Sequence, residues 1–147
     1  MIKNDRQFRI TKAQAERFEK AIKAAATAPR RAIHPVLQKA EMNALKSQLS
    51  DLRRDLDEYS ALRSGKRKTM ALGSFEDLPK TLIQARIAAG LTQEELASRL
   101  GLKPQQIQRY EATDYHSASM ERMNEILRAL GVRLRHPVEL QLYRAHL

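Results

Sequence analysis

The sequence predicts an all-α protein: an N-terminal helical hairpin followed by a bundle of short helices. Three observations carry that prediction. Gly and Pro number only 5 each in 147 residues, while Ala, Leu, Gln, Glu, Lys and Arg fill the stretches between them, a composition that favours helices over a sheet of many turns. Apolar residues recur at spacings of three and four through most of the chain. Helix start signals stand at several places where those stripes begin. The length suits one or two small domains with a core of their own.

Thr11 and Gln14 form a capping-box pair, so the first helix is expected over about 12–27. Ala15, Phe18, Ile22 and Ala25 lie along one face of it. Pro29 follows and stops it, because a residue before proline resists the α conformation. A second helix is expected from Pro35, over about 35–62. Its stripe is Met42, Leu45, Leu49, Leu52, Leu56 and Tyr59, alternating steps of three and four in an a/d heptad pattern. The expected lengths differ, roughly 24 Å against 42 Å. The far end of the stripe would then lie uncovered, and large apolar residues in one stripe seek a partner. Leu49, Leu52, Leu56 and Tyr59 are therefore the candidate dimerisation surface, as a possible coiled coil. Packing on the C-terminal unit or in an intramolecular core is the alternative.

The segment 63–74 contains Arg63, Lys66, Arg67 and Lys68 together with Gly65 and Gly73. It reads as a basic linker between residues 1–62 and 75–147. Charge shifts near the same place. Residues 1–73 carry 17 basic and 8 acidic side chains, whereas 74–147 carry 10 and 9. The whole chain has a net charge of +10, which points to a polyanion partner. Lys66, Arg67 and Lys68 are candidates for phosphate contact, with a solvated tether as the alternative.

In the second half, a helix is expected from Leu78 towards Gly90, with Leu82, Ile83 and Ile87 inward. Thr92 and Glu95 make a second capping box, opening a helix over 93–100. Gly101 allows a tight turn, and Pro104 opens a further helix over 104–112, with Ile107 and Tyr110 inward. A loop over 113–118 leads to Ser119, a good N-cap, and to a last helix ending at Gly131. The tail 133–147 is apolar enough to dock as a helix or strand.

Helix, short glycine turn and helix, flanked by a helix on each side, is a helix-turn-helix arrangement. The run TQEELASRLGLKPQQIQRYE within it resembles the Cro/phage-repressor type, the XRE family, over about residues 78–132. The resemblance implies a lambda-repressor-like bundle whose third helix enters the major groove. By position, Lys103, Gln105, Gln106 and Arg109 would then contact bases. Their chemistry agrees, since Gln pairs with adenine edges and Arg with guanine edges. Thr92 and Gln93, at the start of the second helix, would contact phosphate. Tyr115, His116, Ser117 and Ser119 could do so from the following loop. Arg86 and Glu111 match the family's structural pair. Two departures stand out. Lys103 occupies the N-cap where the family has Ser or Thr, and Ala112-Thr113-Asp114-Tyr115 lacks the glycine that often follows the family's Glu.

An enzyme is not expected. His34, His116, His136 and His146 are scattered, no cysteine is present, and no phosphate-cradling glycine loop occurs. No cofactor is expected. Neither a secretory signal nor a membrane-length apolar run is found, so a cytoplasmic protein is expected. Two functions fit. One is a homodimeric, sequence-specific transcription regulator, a repressor by preference, acting on duplex DNA at a palindromic operator. The other is an antitoxin whose hairpin or tail binds a cognate toxin while the helix-turn-helix represses the shared operon.

Overall fold

The computed structural model describes residues 1–27, 34–133 and 135. The described residues contain helices and no strand. Helices α1 (Asp5–Thr27) and α2 (Pro35–Arg63) form the hairpin. A single 3₁₀ turn, Phe75–Asp77, precedes α3 (Leu78–Ala88), α4 (Gln93–Arg99), α5 (Pro104–Ala112) and α6 (Met120–Ala129).

The first helix corrects the expected start. It begins at Asp5, and Thr11 lies inside it. The working cap is Asn4, whose side-chain oxygen accepts from the Gln7 N–H at 2.9 Å, while the Gln7 side chain accepts from the Lys3 N–H at 2.8 Å. Asn4 and Gln7 have the same spacing as Thr11 and Gln14, and the cap nearer the N-terminus prevails. The extra turns halve the length mismatch: 23 residues face 29, roughly 35 Å against 44 Å. The pairing is antiparallel. Phe8 meets Tyr59 with ring centroids 5.3 Å apart, Asp5 accepts from the Tyr59 hydroxyl at 2.8 Å, and Glu19 pairs with Arg53 at 2.8 Å.

The stripe on α2 is accordingly not a free surface. Leu49 and Tyr59 are buried, and Leu52 and Leu56 are half-buried. An uncovered stripe is the reason to expect dimerisation there, and α1 removes that reason. Burial and the Asp5 hydrogen bond also push the Tyr59 hydroxyl pKa up to about 12.

The hairpin and the short helices share one core. Ile2, Tyr59 and Leu62 cluster with Leu78, Leu82, Ile83, Ile87, Leu96, Ala97, Ile107, Tyr115 and Ile126. The Gln84 amide of α3 donates to Glu58 of α2 at 2.8 Å. Residues 64–74 lie outside the α-helices, in keeping with their composition, but the chain on either side of them packs together. No helix among the described residues is long and apolar enough to cross a membrane.

Candidate DNA interface

The segment α3–α6 is shaped by how its helices end. Gly90, Gly101 and Gly131 all adopt positive φ, at 72°, 65° and 68°. After α4, the Leu102 N–H reaches back to the Ala97 carbonyl at 2.8 Å and the Gly101 N–H to Ser98 at 3.1 Å. This is a Schellman closure, which needs a left-handed residue at its centre. It reverses the chain between α4 and α5 while Ala97, fully buried, lets the two helices approach.

The end of α5 makes the same closure without glycine. Asp114 and Tyr115 take φ of 44° and 59°. The Tyr115 N–H bonds the Tyr110 carbonyl at 2.7 Å, and the two rings stack at 6.1 Å. The departure from the family pattern thus keeps the turn geometry. Asp is among the residues that tolerate the left-handed region, and the buried Tyr115 ring anchors its own unusual backbone.

At the start of α4, the Thr92 hydroxyl accepts from the Glu95 N–H at 3.1 Å, and the Glu95 carboxylate accepts from the Thr92 N–H at 2.7 Å. The hydrogen bonds from Thr92, its backbone N–H first, hold the Glu95 carboxyl below the usual carboxylate range. At the start of α5, Pro104 takes the first turn and the Gln106 side chain accepts from the Lys103 N–H at 3.1 Å. Lys103 lacks a capping oxygen, and Gln106 supplies half of a capping box from within the helix.

Beneath α5, Arg86 and Glu111 form a buried ion pair. The Arg86 Nε meets Glu111 Oε1 at 2.5 Å and Nη2 meets Oε2 at 2.7 Å. Arg86 also donates to the carbonyls of Leu91 and Lys3, each at 2.7 Å. The Gln93 amide donates to Glu111 Oε2 at 2.7 Å. A paired, hydrogen-bonded charge is the form in which a buried carboxylate is tolerated. The network ties α3, the start of α4 and the end of α5 into one unit.

On the opposite side of α5, Lys103, Gln105, Gln106 and Arg109 are all exposed, with Ala112 exposed behind them, while Ile107 and Glu111 face inward. Gln108 is exposed as well, one turn from Gln105 and Ala112. Sequence reasoning did not select it, although its spacing was the available signal. Thr92 is exposed, but Gln93 is half-buried with its amide committed to Glu111. In the loop after α5, His116, Ser117 and Ser119 are exposed, and the Ser119 hydroxyl caps α6 by accepting from the Arg122 N–H at 3.1 Å.

Tyr115 is a correction. Expected to donate to phosphate, it is 2% exposed, its hydroxyl is buried without a hydrogen-bond partner, and burial pushes its pKa up. Its ring completes the helix closure, which outweighs any role for the hydroxyl at the surface. In the linker, Lys66, Arg67 and Lys68 are exposed. Arg67 lies along α2, lining a groove with Lys46, Arg53 and Arg54. Of the basic residues at this boundary, Arg63 is the one that shares a groove with Gln108 and Ala112 of α5. Residues 134 and 136–147, which hold His136, His146 and most of the tail 133–147 expected to dock as a helix or strand, lie outside the described residues.

A bundle with a glycine-turned helix pair, an anchored α5 and an exposed polar face is the architecture of a helix-turn-helix reader. Residues 82–136 match the helix-turn-helix family model, that of the Cro/repressor type. No curated protein and no solved structure gives a significant match. Residues 82–136 thus carry an XRE-type helix-turn-helix domain, the kind of domain found in DNA-binding transcription regulators.

Proposed function

We propose that the chain is a sequence-specific repressor that binds duplex DNA as a homodimer. Lys103, Gln105, Gln106 and Arg109 read base edges in the major groove. Thr92, Gln93, His116, Ser117 and Ser119 meet the phosphates beside it, Gln93 through its backbone N–H because its amide is committed. Lys66, Arg67 and Lys68 add charge. The observation that carries the reading is the outward row of Gln105, Gln106 and Arg109 on a helix whose inner face is held by the Arg86–Glu111 pair. Gln and Arg have the donor geometry that distinguishes base pairs in that groove. Pairing of two copies would place two reading helices one helical turn of DNA apart, roughly 34–36 Å.

Selection from a random oligonucleotide pool, followed by binding measurements on the selected site, tests this. Arg109→Ala should cost about 1–3 kcal/mol on that site and relax the preference at one base pair. Equal loss on selected and random DNA would remove Arg109 from base reading. Light scattering of the complex reports two copies per site, and transcription from a promoter overlapping the site should fall when the protein is present.

A second reading, an antitoxin, is favoured by Val36 and Leu37, which are 66% and 62% exposed side by side at the start of α2. Its test is co-purification with the product of the neighbouring reading frame and relief of the growth arrest that product causes. Val36→Asp with Leu37→Asp should abolish both effects.

A further inference from the structure

The electrostatics of the bundle are incomplete by themselves. Residues 74–147 carry 10 basic and 9 acidic side chains, whereas backbone binding to DNA depends on cations that displace counterions. The surplus lies in the first half of the chain, and the fold brings one end of that half to the reading helix. A groove of about 530 Å³ has the start of α1 on one side, with Lys3, Arg6 and Gln7, and Thr92, Gln93, Gln108 and Ala112 on the other. The position of this segment is fixed. Ile2 is buried in the common core, and the Lys3 carbonyl accepts from Arg86 at 2.7 Å. The Lys3 ammonium donates to the Glu111 carbonyl at 2.5 Å and to Asp114 at 2.8 Å.

Most charges of the groove are already matched. Lys3 pairs with Asp114, Arg63 with Asp5 at 3.4 Å, and Arg86 with Glu111. Arg6 is the exception among its cations: it is exposed, and among the described residues it makes no ion pair. Arg9, three residues on and so on the same side of α1, is likewise exposed and outside those pairs. Glu94, on the α4 wall, is the carboxylate among the lining residues without a cation, so an anion approaches from the α1 side.

We propose that the first turns of α1 form an added backbone contact, with Arg6 and Arg9 holding phosphates of the duplex that flank the base pairs read by α5. The inference rests on the DNA-reading function proposed above and extends it to the N-terminal hairpin. The occupant is duplex DNA because the groove opens beside the exposed face of α5, where the only polyanion that function brings is the duplex itself. The hairpin is then part of the interface and not merely a support for it.

The test uses the full chain and the selected duplex at several salt concentrations, with flanks present and with flanks trimmed. Wild-type binding establishes that the reading function holds before the variants are compared. Arg6→Gln with Arg9→Gln should lower the slope of log K against log salt by about 1.8, at about 0.9 for each phosphate no longer neutralised. It should also abolish the advantage of the flanked duplex and leave the base preference intact. Arg17→Gln with Lys20→Gln, two exposed changes farther along α1, should leave the slope nearly unchanged. An unaltered slope for the Arg6/Arg9 variant overturns the proposal. So does an equal effect of the distant pair, which would show a general charge effect, and so does a changed base preference, which would show action through α5. Failure of the wild-type protein to bind any duplex would overturn the reading function, and the α1 contact with it. Binding without base preference would overturn sequence specificity alone, and the slope would still decide the α1 contact.

Discussion

Tyr115 shows at the scale of one residue how a site can be reassigned by its surroundings. A tyrosine in the polar loop after α5 has the chemistry of a phosphate donor. Here its ring is needed inside, stacked on Tyr110, and its hydroxyl goes in with no partner. A buried donor left unmade costs free energy, typically about 1–3 kcal/mol. Tyr115→Phe keeps the ring and removes the liability, so it should stabilise the protein by about 1 kcal/mol and leave DNA affinity unchanged. Urea unfolding and a binding titration check both. Destabilisation, or weakened binding, would show that the hydroxyl has work the fold does not reveal. Gln93 carries a similar lesson. Its amide is free as far as the sequence goes and is tied to Glu111 in the fold.

Among the described elements, α4 is the shortest α-helix, and it depends on its cap, since seven residues are too few to be stable by propensity alone. Glu95 is held in its ionised form by the Thr92 N–H and hydroxyl, which lowers its pKa in the folded chain. A carboxylate with a lowered folded pKa adds stability above its unfolded pKa, and that stability fades as pH falls through the folded value. Glu95→Gln should therefore be less stable than the wild type at neutral pH. The difference should vanish in acid, below the ordinary carboxylate range. Urea midpoints of both proteins at neutral pH and in acid measure it, and a difference that persists in acid would exclude ionisation of Glu95 as its source. The same dependence on caps explains α1. Two cap signals of equal spacing compete, and the one that lets Phe8 cover Tyr59 wins.

Across the whole molecule, the decisive feature is the shared core. Ile2 belongs to the same cluster as Leu82, Ile107 and Ile126, although most of the chain separates them in sequence. Ile2→Ala should cost about 2–5 kcal/mol by leaving a cavity. It should lower the stability of α3–α6 together with that of the hairpin. Tyrosine fluorescence and circular dichroism followed through one urea titration should give coincident transitions, as expected of a single cooperative unit. Two separated transitions would show that the hairpin and the helix-turn-helix melt independently.

The sequence by itself determined the helix class and the bounds of α2, α5 and the helix-turn-helix to within a residue or two. Pro35, Pro104, Thr92 and the glycines act on their own neighbours, through dihedral limits and hydrogen bonds a few residues long. It also determined the outward row on α5, because Gln105, Gln106 and Arg109 fall opposite Ile107 by helical geometry alone. The tertiary structure alone decided what lies against these elements. Lys3 meets Asp114, and Arg86 meets the Lys3 carbonyl, across 111 and 83 positions of sequence. No local rule spans such distances, because these contacts exist only once Ile2 and Tyr59 have been drawn into the common core by burial of their apolar surface. The same burial took the α2 stripe out of use as an open surface and set the basic start of α1 beside α5.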